Sequence, residues 1–375
     1  MKLKHLHIEN FKGVRALDTD FTDSNGEARN MTALIGDNGS GKTTVLQAIA
    51  LVLSLATRRT GYADQFRWHG FLLDRVSSMG RTRVQVDVQF EDAEIEATQS
   101  LFKEWRDSLP ATFRETRTIV TPATNKELSL VFMNGRLETP LSEQSQFMGR
   151  YYIKALRKHT PAIVARFREC GDVFWFDQYR NHGWVAVPQT EMLDDIDRDL
   201  NGETRMDRNI AATWEAGVER LRSYLVGMWG YHTSREKRGG KDYIPDLEAH
   251  FQRVFPGTVF RGVEPRNATQ SVDPSDFFVL LERNRKVFDL AEMSSGEQAV
   301  FPLVYDFVRL DIAKSVVLID ELELHLHPPQ QQALLAVLPR LGPDCQFIVT
   351  THSPYLEQAI PDQYEVRLEG RTLCL

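Results

Sequence analysis

The sequence has few cysteines, no long apolar run and no excess of positive charge. Its three cysteines, Cys170, Cys345 and Cys374, form no C-x-x-C pair, which argues against a disulfide framework or a zinc knuckle. The longest mostly apolar stretch, residues 45–56, falls short of the ~20 residues that a bilayer span needs. The first residues lead directly into a strand pattern without an apolar signal region. We therefore expect a soluble, cytoplasmic protein with no membrane partner.

Charge and periodicity exclude further classes. The 45 Lys and Arg residues are outnumbered by 52 Asp and Glu, so the net charge is −7 and any nucleic-acid contact needs a local basic patch. No heptad pattern extends over three repeats, which excludes a long coiled-coil arm. A chain of 375 residues with 42% hydrophobic residues predicts two to three domains, or one large α/β core with an insertion.

The most specific motif is a glycine-rich loop at residues 36–44, which matches G-x-x-x-x-G-K-T. A short apolar strand pattern at 31–35 precedes it and an apolar helix pattern follows, as the motif requires. The glycines let the backbone wrap phosphates closely, and the helix start directs its N–H groups at them. The residues expected to contact ATP are Gly36, Asn38, Gly39, Ser40, Gly41, Lys42, Thr43 and Thr44. Lys42 is expected to reach the β- and γ-phosphates, and Thr43 to ligate Mg²⁺.

Two later strands deliver polar residues at their carboxyl ends. The buried-strand pattern 315–319 is followed by Asp320 and Glu321, which strand alternation sends to different sides. Asp320 is expected to hold Mg²⁺ and Glu321 to accept a proton from the attacking water, although acidic pairs also end strands for structural reasons. The last buried strand, 346–351, is followed by His352, at the position where ligands bind in open α/β sheets.

The segment 293–298, Met-Ser-Ser-Gly-Glu-Gln, precedes an apolar helix pattern and has two interpretations. The small residues Ser294, Ser295 and Gly296 would let a helix N-terminus approach an anion. Alternatively, Ser294 is an ordinary N-cap with Glu297 completing a capping box.

The order of these motifs resembles that of ABC-type ATPase heads of the SMC/RecF group, and most closely that of OLD-like ATPases found in bacterial anti-phage systems. The resembling segments are 10–13 (Asn-Phe-Lys-Gly), 36–44, 293–298, 319–328 and 350–354. They lie within about residues 1–60 and 285–360, well under half of the chain. The resemblance implies an α/β fold, an ABC-type P-loop NTPase head with a mixed central sheet flanked by helices and a mainly helical insertion.

The resemblance also implies an Mg²⁺-dependent ATPase whose two copies dimerise head-to-tail around ATP. Ser294, Ser295 and Gly296 of one subunit would contact the γ-phosphate on the other, His352 would be the switch histidine, and Lys12 of the entry motif would lie near the nucleotide. Ser295 departs from the more usual glycine of this signature. For the Q-loop glutamine the first choice is Gln178, after a short apolar run, with Gln144 and Gln146 as rivals.

We expect three regions, an N-terminal lobe at 1–92, a compact, mostly helical insertion at 93–275 and a C-terminal lobe at 276–375. Four basic residues of the insertion share one helical face. They are Arg150, Lys154, Arg157 and Lys158. This face is either a solvated surface or a contact for nucleic acid or an acidic protein.

Only 23 residues follow His352, too few for the fused TOPRIM nuclease of OLD nucleases. The resemblance therefore implies that the ATPase regulates a separate effector, a nuclease in an anti-phage defence system. The alternative is a RecF-like repair ATPase that clamps DNA, which would need a continuous basic groove and salt-dependent DNA affinity.

Overall fold

Strands of three sheets and the helices between them make up the described fold. A computed structural model describes residues 1–58, 63, 66, 71–77, 80–116, 119–157, 159–178, 214–234, 241–267, 273 and 276–368. The strands are β1 (Lys2–Phe11), β2 (Val14–Asp20), β3 (Met31–Ile35), β4 (Arg83–Gln89), β5 (Glu127–Met133), β6 (Arg136–Leu137), β7 (Val173–Phe176), β8 (Val259–Pro265), β9 (Phe277–Arg283), β10 (Lys286–Asp289), β11 (Val316–Ile319), β12 (Gln346–Thr351) and β13 (Glu365–Arg367).

The described α-helices are α1 (Lys42–Ala56), α2 (Leu73–Val76), α3 (Asp92–Ser108), α4 (Ala111–Thr116), α5 (Leu141–Gln146), α6 (Gly149–Leu156), α7 (Trp214–Thr233), α8 (Ile244–Phe251), α9 (Ser295–Arg309), α10 (Pro328–Leu341) and α11 (Pro354–Glu357). Short 3₁₀ helices occupy Pro161–Glu169, Leu290–Glu292 and Asp362–Tyr364. None of the helices in the described ranges is long and apolar enough to cross a membrane.

A parallel sheet in the order β13-β3-β12-β11-β7 forms the centre of the fold. Every residue of β11 and β12 is buried, as their continuous apolar patterns predict for strands covered on both faces. The strands expected at 31–35, 315–319 and 346–351 are confirmed. Because neighbouring strands run in the same direction, the polar residues that follow them meet at one edge.

An antiparallel sheet in the order β2-β1-β4-β5-β6 packs over α1. Leu3, Leu6 and Ile8 of β1 are buried although Leu3 and Leu6 are three residues apart, because the register of β1 against β4 shifts between Leu3 and His5. The core on this side combines α1 with apolar side chains from both five-stranded sheets. The helix that follows the glycine-rich loop is therefore held between two sheets.

The opposite face of the parallel sheet packs against α7, α8, α9 and α10 in a second core. A three-stranded antiparallel sheet, in the order β10-β9-β8, joins this core and leads into the 3₁₀ helix Leu290–Glu292 and then α9. A small third core joins α3, α6 and the 3₁₀ helix Pro161–Glu169.

The α/β P-loop fold class is confirmed, but its strands are distributed over three separate sheets rather than one mixed sheet. Strands of the expected insertion at 93–275 belong to all three: β5 pairs with β4, β7 pairs with β11, and β8 pairs with β9. Backbone pairing thus ties this region to strands that precede it and to strands that follow it in the sequence.

Candidate nucleotide-binding site

The carboxyl ends of four adjacent parallel strands bring the expected site residues to one edge of the central sheet. The glycine-rich loop follows β3, His352 follows β12, Asp320 and Glu321 follow β11, and Gln178 lies two residues beyond β7. The strand order β3-β12-β11-β7 places these ends side by side. Open α/β sheets bind ligands at this edge.

The glycine-rich loop needs its glycines for two reasons. Gly39 and Gly41 have φ angles of 81° and 94°, in the left-handed region that favours glycine. A Cβ atom at Gly36 would lie 2.5 Å from the carbonyl oxygen of Leu368 and 2.7 Å from Oγ of Ser40. The loop therefore adopts a conformation that side chains at these positions would strain, and α1 begins directly after it.

Lys42, the first residue of α1, folds back over the loop. Its Nζ donates hydrogen bonds to the carbonyl oxygens of Gly36 (2.7 Å) and Asp37 (2.9 Å). Burial lowers the pKa of Lys42, and nearby carboxylates, Asp320 foremost, oppose that shift. The buried hydroxyl of Ser40 has no hydrogen-bond partner within the described part of the chain. An ammonium group, an unpaired hydroxyl and a helix N-terminus together suit phosphate oxygens.

Asp320 is buried and receives hydrogen bonds from two threonines. Thr43 Oγ1 donates to its Oδ2 (2.8 Å), and Thr350 Oγ1 donates to its Oδ1 (2.6 Å). Since Thr43 uses its proton towards Asp320, the lone pairs of its oxygen remain for a cation. Mg²⁺ prefers such oxygen ligands and usually takes one or two carboxylates together with phosphate oxygens. These residues therefore fit the expected Mg²⁺ ion. The described residues hold no separate metal-binding cluster of three or more His, Cys, Asp or Glu.

The chain turns sharply after Asp320, because Glu321 has a left-handed φ of 48°. Glu323, which sequence reasoning did not select, accepts a hydrogen bond from the backbone N–H of His352 (2.6 Å) through Oε1. Its buried Oε2 has no hydrogen-bond partner among the described residues. In the sequence, Glu323 is visible only as a further acidic residue two positions after Glu321. The structure shows that Glu323 connects the carboxyl ends of β11 and β12.

The segment at the start of α9 forms the capping arrangement. Glu297 Oε2 accepts from both the N–H (3.0 Å) and the hydroxyl (2.7 Å) of Ser294, and Arg283 donates to Glu297 Oε1 (2.7 Å). The capping interpretation is confirmed, while Ser294 and Ser295 remain exposed to solvent. A Cβ at Gly296 would lie 3.0 Å from the carbonyl oxygen of His325. The start of α9 thus packs closely on the segment that follows Glu321.

Gln144 and Gln146, the alternatives to Gln178, form hydrogen bonds elsewhere in the fold. Gln146 is buried and exchanges hydrogen bonds with the backbone of Asn125, and Gln144 donates to the carbonyl oxygen of Thr139. Both lie in α5, whereas Gln178 follows the strand next to β11. The arrangement favours Gln178 for the Q-loop position.

Lys12 lies in a left-handed turn between β1 and β2. Its Nζ donates to Oε1 of Gln47 (2.7 Å), a buried residue of α1, and burial lowers the pKa of Lys12. The entry motif therefore contacts the helix that begins at the glycine-rich loop. Sequence reasoning missed Gln47 because a polar residue inside an apolar helix carries no motif of its own.

The expected basic face is wrong at Arg150. This side chain is only 2% exposed, and it donates to the carbonyl oxygens of Cys170 (3.0 Å), Leu310 (3.0 Å) and Asp311 (2.7 Å). Its planar guanidinium group suits backbone carbonyl groups at the C-terminal end of α9, so Arg150 stabilises the packing of the fold. Lys154 is partly buried, Arg157 is exposed, and Lys158 lies outside the described residues.

Comparison with known families agrees with this geometry. Residues 1–146 match the family described as "AAA ATPase domain", and residues 230–356 match the family described as "AAA domain, putative AbiEii toxin, Type IV TA system". The first match contains the glycine-rich loop, and the second contains the start of α9, the Asp320-Glu321 pair and His352. The chain is thus an ATPase, and models of AAA families match the two parts of it that carry the expected site residues.

This ATPase is similar over nearly its whole length to proteins of named bacterial systems. It is 23% identical over 405 residues to the Retron Ec83 probable ATPase of Escherichia coli, covering 97% of this chain and 70% of that protein. It is 21% identical over 380 residues to the Retron Vc95 probable ATPase of Vibrio cholerae serotype O1 biovar El Tor, covering 94% and 71%. The Septu protein PtuA of Bacillus mycoides is 22% identical over 376 residues, covering 98% of this chain and 40% of that protein.

Proposed function

We propose that this ATPase binds ATP between two copies of the chain, arranged head-to-tail, and that its nucleotide state controls a separate effector in bacterial anti-phage defence. The observation that carries the proposal is the single edge of the central sheet at which the glycine-rich loop, the Asp320-Glu321 pair and His352 meet. The exposed Ser294 and Ser295 support the dimer, since they leave a helix N-terminus accessible to a second subunit.

Each residue at this edge has a role in hydrolysis. Lys42 binds the β- and γ-phosphates, and Glu321 accepts a proton from the attacking water. Mg²⁺, held by Thr43 and Asp320, would neutralise charge on the phosphate oxygens. His352 lies at the end of β12, where Glu323 holds its backbone, and serves as the switch histidine near the γ-phosphate.

A nucleotide held by both subunits makes the assembly depend on ATP. While ATP is bound, its γ-phosphate joins the glycine-rich loop of one copy to Ser294, Ser295 and Gly296 of the other. Hydrolysis removes that bridging group, so the subunits separate or rotate. An effector that recognises only the closed form would then respond to the nucleotide state.

The dimer is tested with Glu321→Gln, which keeps the size and shape of the side chain but replaces one carboxylate oxygen with an NH2 group, so that it cannot accept a proton. With ATP and Mg²⁺ present, we expect light scattering after size-exclusion chromatography to report twice the monomer mass. The matched control is Lys42→Ala, which should remain at the nucleotide-free mass because it cannot hold ATP. Equal masses for both variants in ATP would contradict the proposal.

The effector is proposed to be a nuclease encoded near the ATPase. The retron and Septu relatives favour a defence role. We would purify Glu321→Gln with its neighbouring genes intact, add ATP and Mg²⁺, and identify what co-elutes by mass spectrometry. A nuclease is the expected product, whereas DNA without a protein partner would favour the RecF-like clamp. The burial of Arg150 removes one residue of the basic face that was a candidate contact for nucleic acid or an acidic protein.

A further inference from the structure

We propose that Thr350 is a positioning residue for hydrolysis, since its hydroxyl group sets the orientation of the Asp320 carboxylate and of the Glu321 backbone together. The inference rests on the proposed roles of Asp320 and Glu321. Thr350 lies in β12, the strand between those that carry the glycine-rich loop and the acidic pair.

One oxygen atom makes both contacts. Thr350 Oγ1 donates its proton to Asp320 Oδ1 at 2.6 Å and accepts the backbone N–H of Glu321 at 2.7 Å. The backbone carbonyl oxygen of Thr350 also accepts the N–H of Leu322 at 3.0 Å. Three consecutive residues after β11 are therefore bound to a single residue of β12.

A hydroxyl group is the smallest side-chain group that suits this place. A carboxylate can only accept hydrogen bonds and a backbone N–H can only donate one, so the connecting atom must do both. Thr350 is fully buried, which prevents bulk water from replacing a lost hydroxyl. Its branched Cβ restricts χ1, so the oxygen is held in one direction.

The two contacts act on different parts of the proposed chemistry. With Thr350 on Oδ1 and Thr43 on Oδ2, the Asp320 carboxylate has a fixed plane towards the cation position. The N–H of Glu321 is fixed while that residue has a left-handed backbone. Loss of the hydroxyl frees the carboxylate to rotate and releases the turn that presents the general base.

Thr32 of β3 provides a matched control. It is also a fully buried threonine of the central sheet, and its Oγ1 has no hydrogen-bond partner within the described part of the chain. Thr32→Val removes the same hydroxyl from the same kind of environment without removing a contact. Any effect of Thr350→Val that Thr32→Val does not share belongs to the hydrogen bonds of Thr350.

The test measures steady-state ATPase activity as a function of Mg²⁺ and ATP for Thr350→Val, Thr350→Ser and Thr32→Val. Since a group that orients a metal ligand typically changes metal affinity or activity by about 10–100-fold, we expect Thr350→Val to raise the half-saturating Mg²⁺ concentration and lower kcat on that scale. KM for ATP should change little, because Lys42 and the loop are intact. Thr350→Ser should recover most of the activity, and Thr32→Val should match the unmodified protein.

A merely structural role for Thr350 would not shift the Mg²⁺ dependence. The proposal is overturned if Thr350→Val loses stability in thermal melts but keeps the Mg²⁺ dependence and kcat of the folded fraction. If Thr350→Val does not fold, Thr350→Cys, whose thiol is only a weak donor and acceptor, gives the same comparison.

Asp320→Asn and Glu321→Gln, measured alongside, separate this inference from the proposed function. If both hydrolyse ATP at the unmodified rate, the site assignment itself fails. If both are impaired while Thr350→Val is unaffected, only the role of Thr350 fails.

Discussion

Removal of Arg222 should cost a large part of the stability of the region that carries the start of α9. Arg222 of α7 is fully buried and donates to both carboxylate oxygens of Asp289 (2.9 and 2.7 Å) and to the carbonyl oxygen of Phe277 (2.7 Å). Asp289 also accepts hydrogen bonds from the backbone N–H groups of Val279 (2.9 Å) and Ala291 (3.0 Å). Ala291 lies just before the signature segment, residues 293–298. This one ion pair joins α7, β9 and the approach to α9.

Arg222→Met keeps the apolar volume and deletes the three hydrogen bonds. Breaking a buried pair by removing one partner costs about 3–5 kcal/mol, since the remaining charge stays buried. Urea unfolding followed by tryptophan fluorescence measures this loss. The control is Arg136→Met, whose ion pair with Glu138 is on the surface (3.1 Å, side chain 76% exposed) and should cost less than ~1 kcal/mol.

The loss should also depend on pH with a definite sign. Burial alone would raise the pKa of Asp289, but hydrogen bonds and the charge of Arg222 outweigh it and hold that pKa below the ordinary value of 3.8. The resulting stability is present above that value and is lost as the pH falls through the lowered pKa. Without Arg222 the pKa of Asp289 rises, so the deficit of Arg222→Met should shrink as the pH falls from 7 towards 4. A deficit below ~1 kcal/mol at pH 7 would show that Arg222 and Asp289 do not stabilise the fold as a buried ion pair.

Two further predictions concern other parts of the chain. Proton acceptance by a general base contributes about 10²–10⁴-fold to turnover, so Glu321→Gln should lose ATP hydrolysis on that scale. In equilibrium binding, Glu321→Gln should still bind ATP, whereas Lys42→Ala should not. Wild-type turnover by Glu321→Gln would disprove the assignment of Glu321 as the general base. In the sheet that contains β1 and β2, hydrogen bonds to Asp18 and Glu9 raise the pKa of His7. Protonated His7 therefore adds stability that is present below pH 6.5 and is lost as the pH rises through the raised pKa. NMR titration should show a lower His7 pKa in Asp18→Asn, and an unchanged pKa would contradict the contact.

The local pattern of apolar residues was sufficient to predict the strands that position the site. Continuous apolar runs predicted β3, β11 and β12, and parallel pairing then brought Lys42, Asp320 and His352 to one edge. Thr350 and Glu323 were missed because their roles depend on pairing between β11 and β12, which the sequence does not reveal. Arg150 was misplaced for a related reason: helical spacing shows which residues share a face but not whether carbonyl groups from a distant segment cover it.

Assignment of strands to sheets was also beyond local pattern. The Asn134-Gly135 turn joins β5 and β6 in a hairpin, as an Asn-Gly pair favours. Its pairing with β4 places it in the same sheet as β1 and β2, although 37 residues separate β4 from β5. Such contacts depend on how apolar faces are covered in three dimensions, which composition and motifs do not reveal.

Complementation between two inactive variants shows whether one ATP is held by two subunits. Lys42→Ala disables the glycine-rich loop, and Ser295→Arg blocks the exposed start of α9, so each protein alone should be inactive. A heterodimer of the two has one site built from an intact loop and an intact signature segment. Random pairing of equal amounts makes about half of the dimers heterodimers, and each heterodimer has one working site out of two. The mixture should therefore recover roughly a quarter of the unmodified activity. A mixture no more active than its separate components, or full activity of Ser295→Arg by itself, would show that the two subunits do not share an ATP.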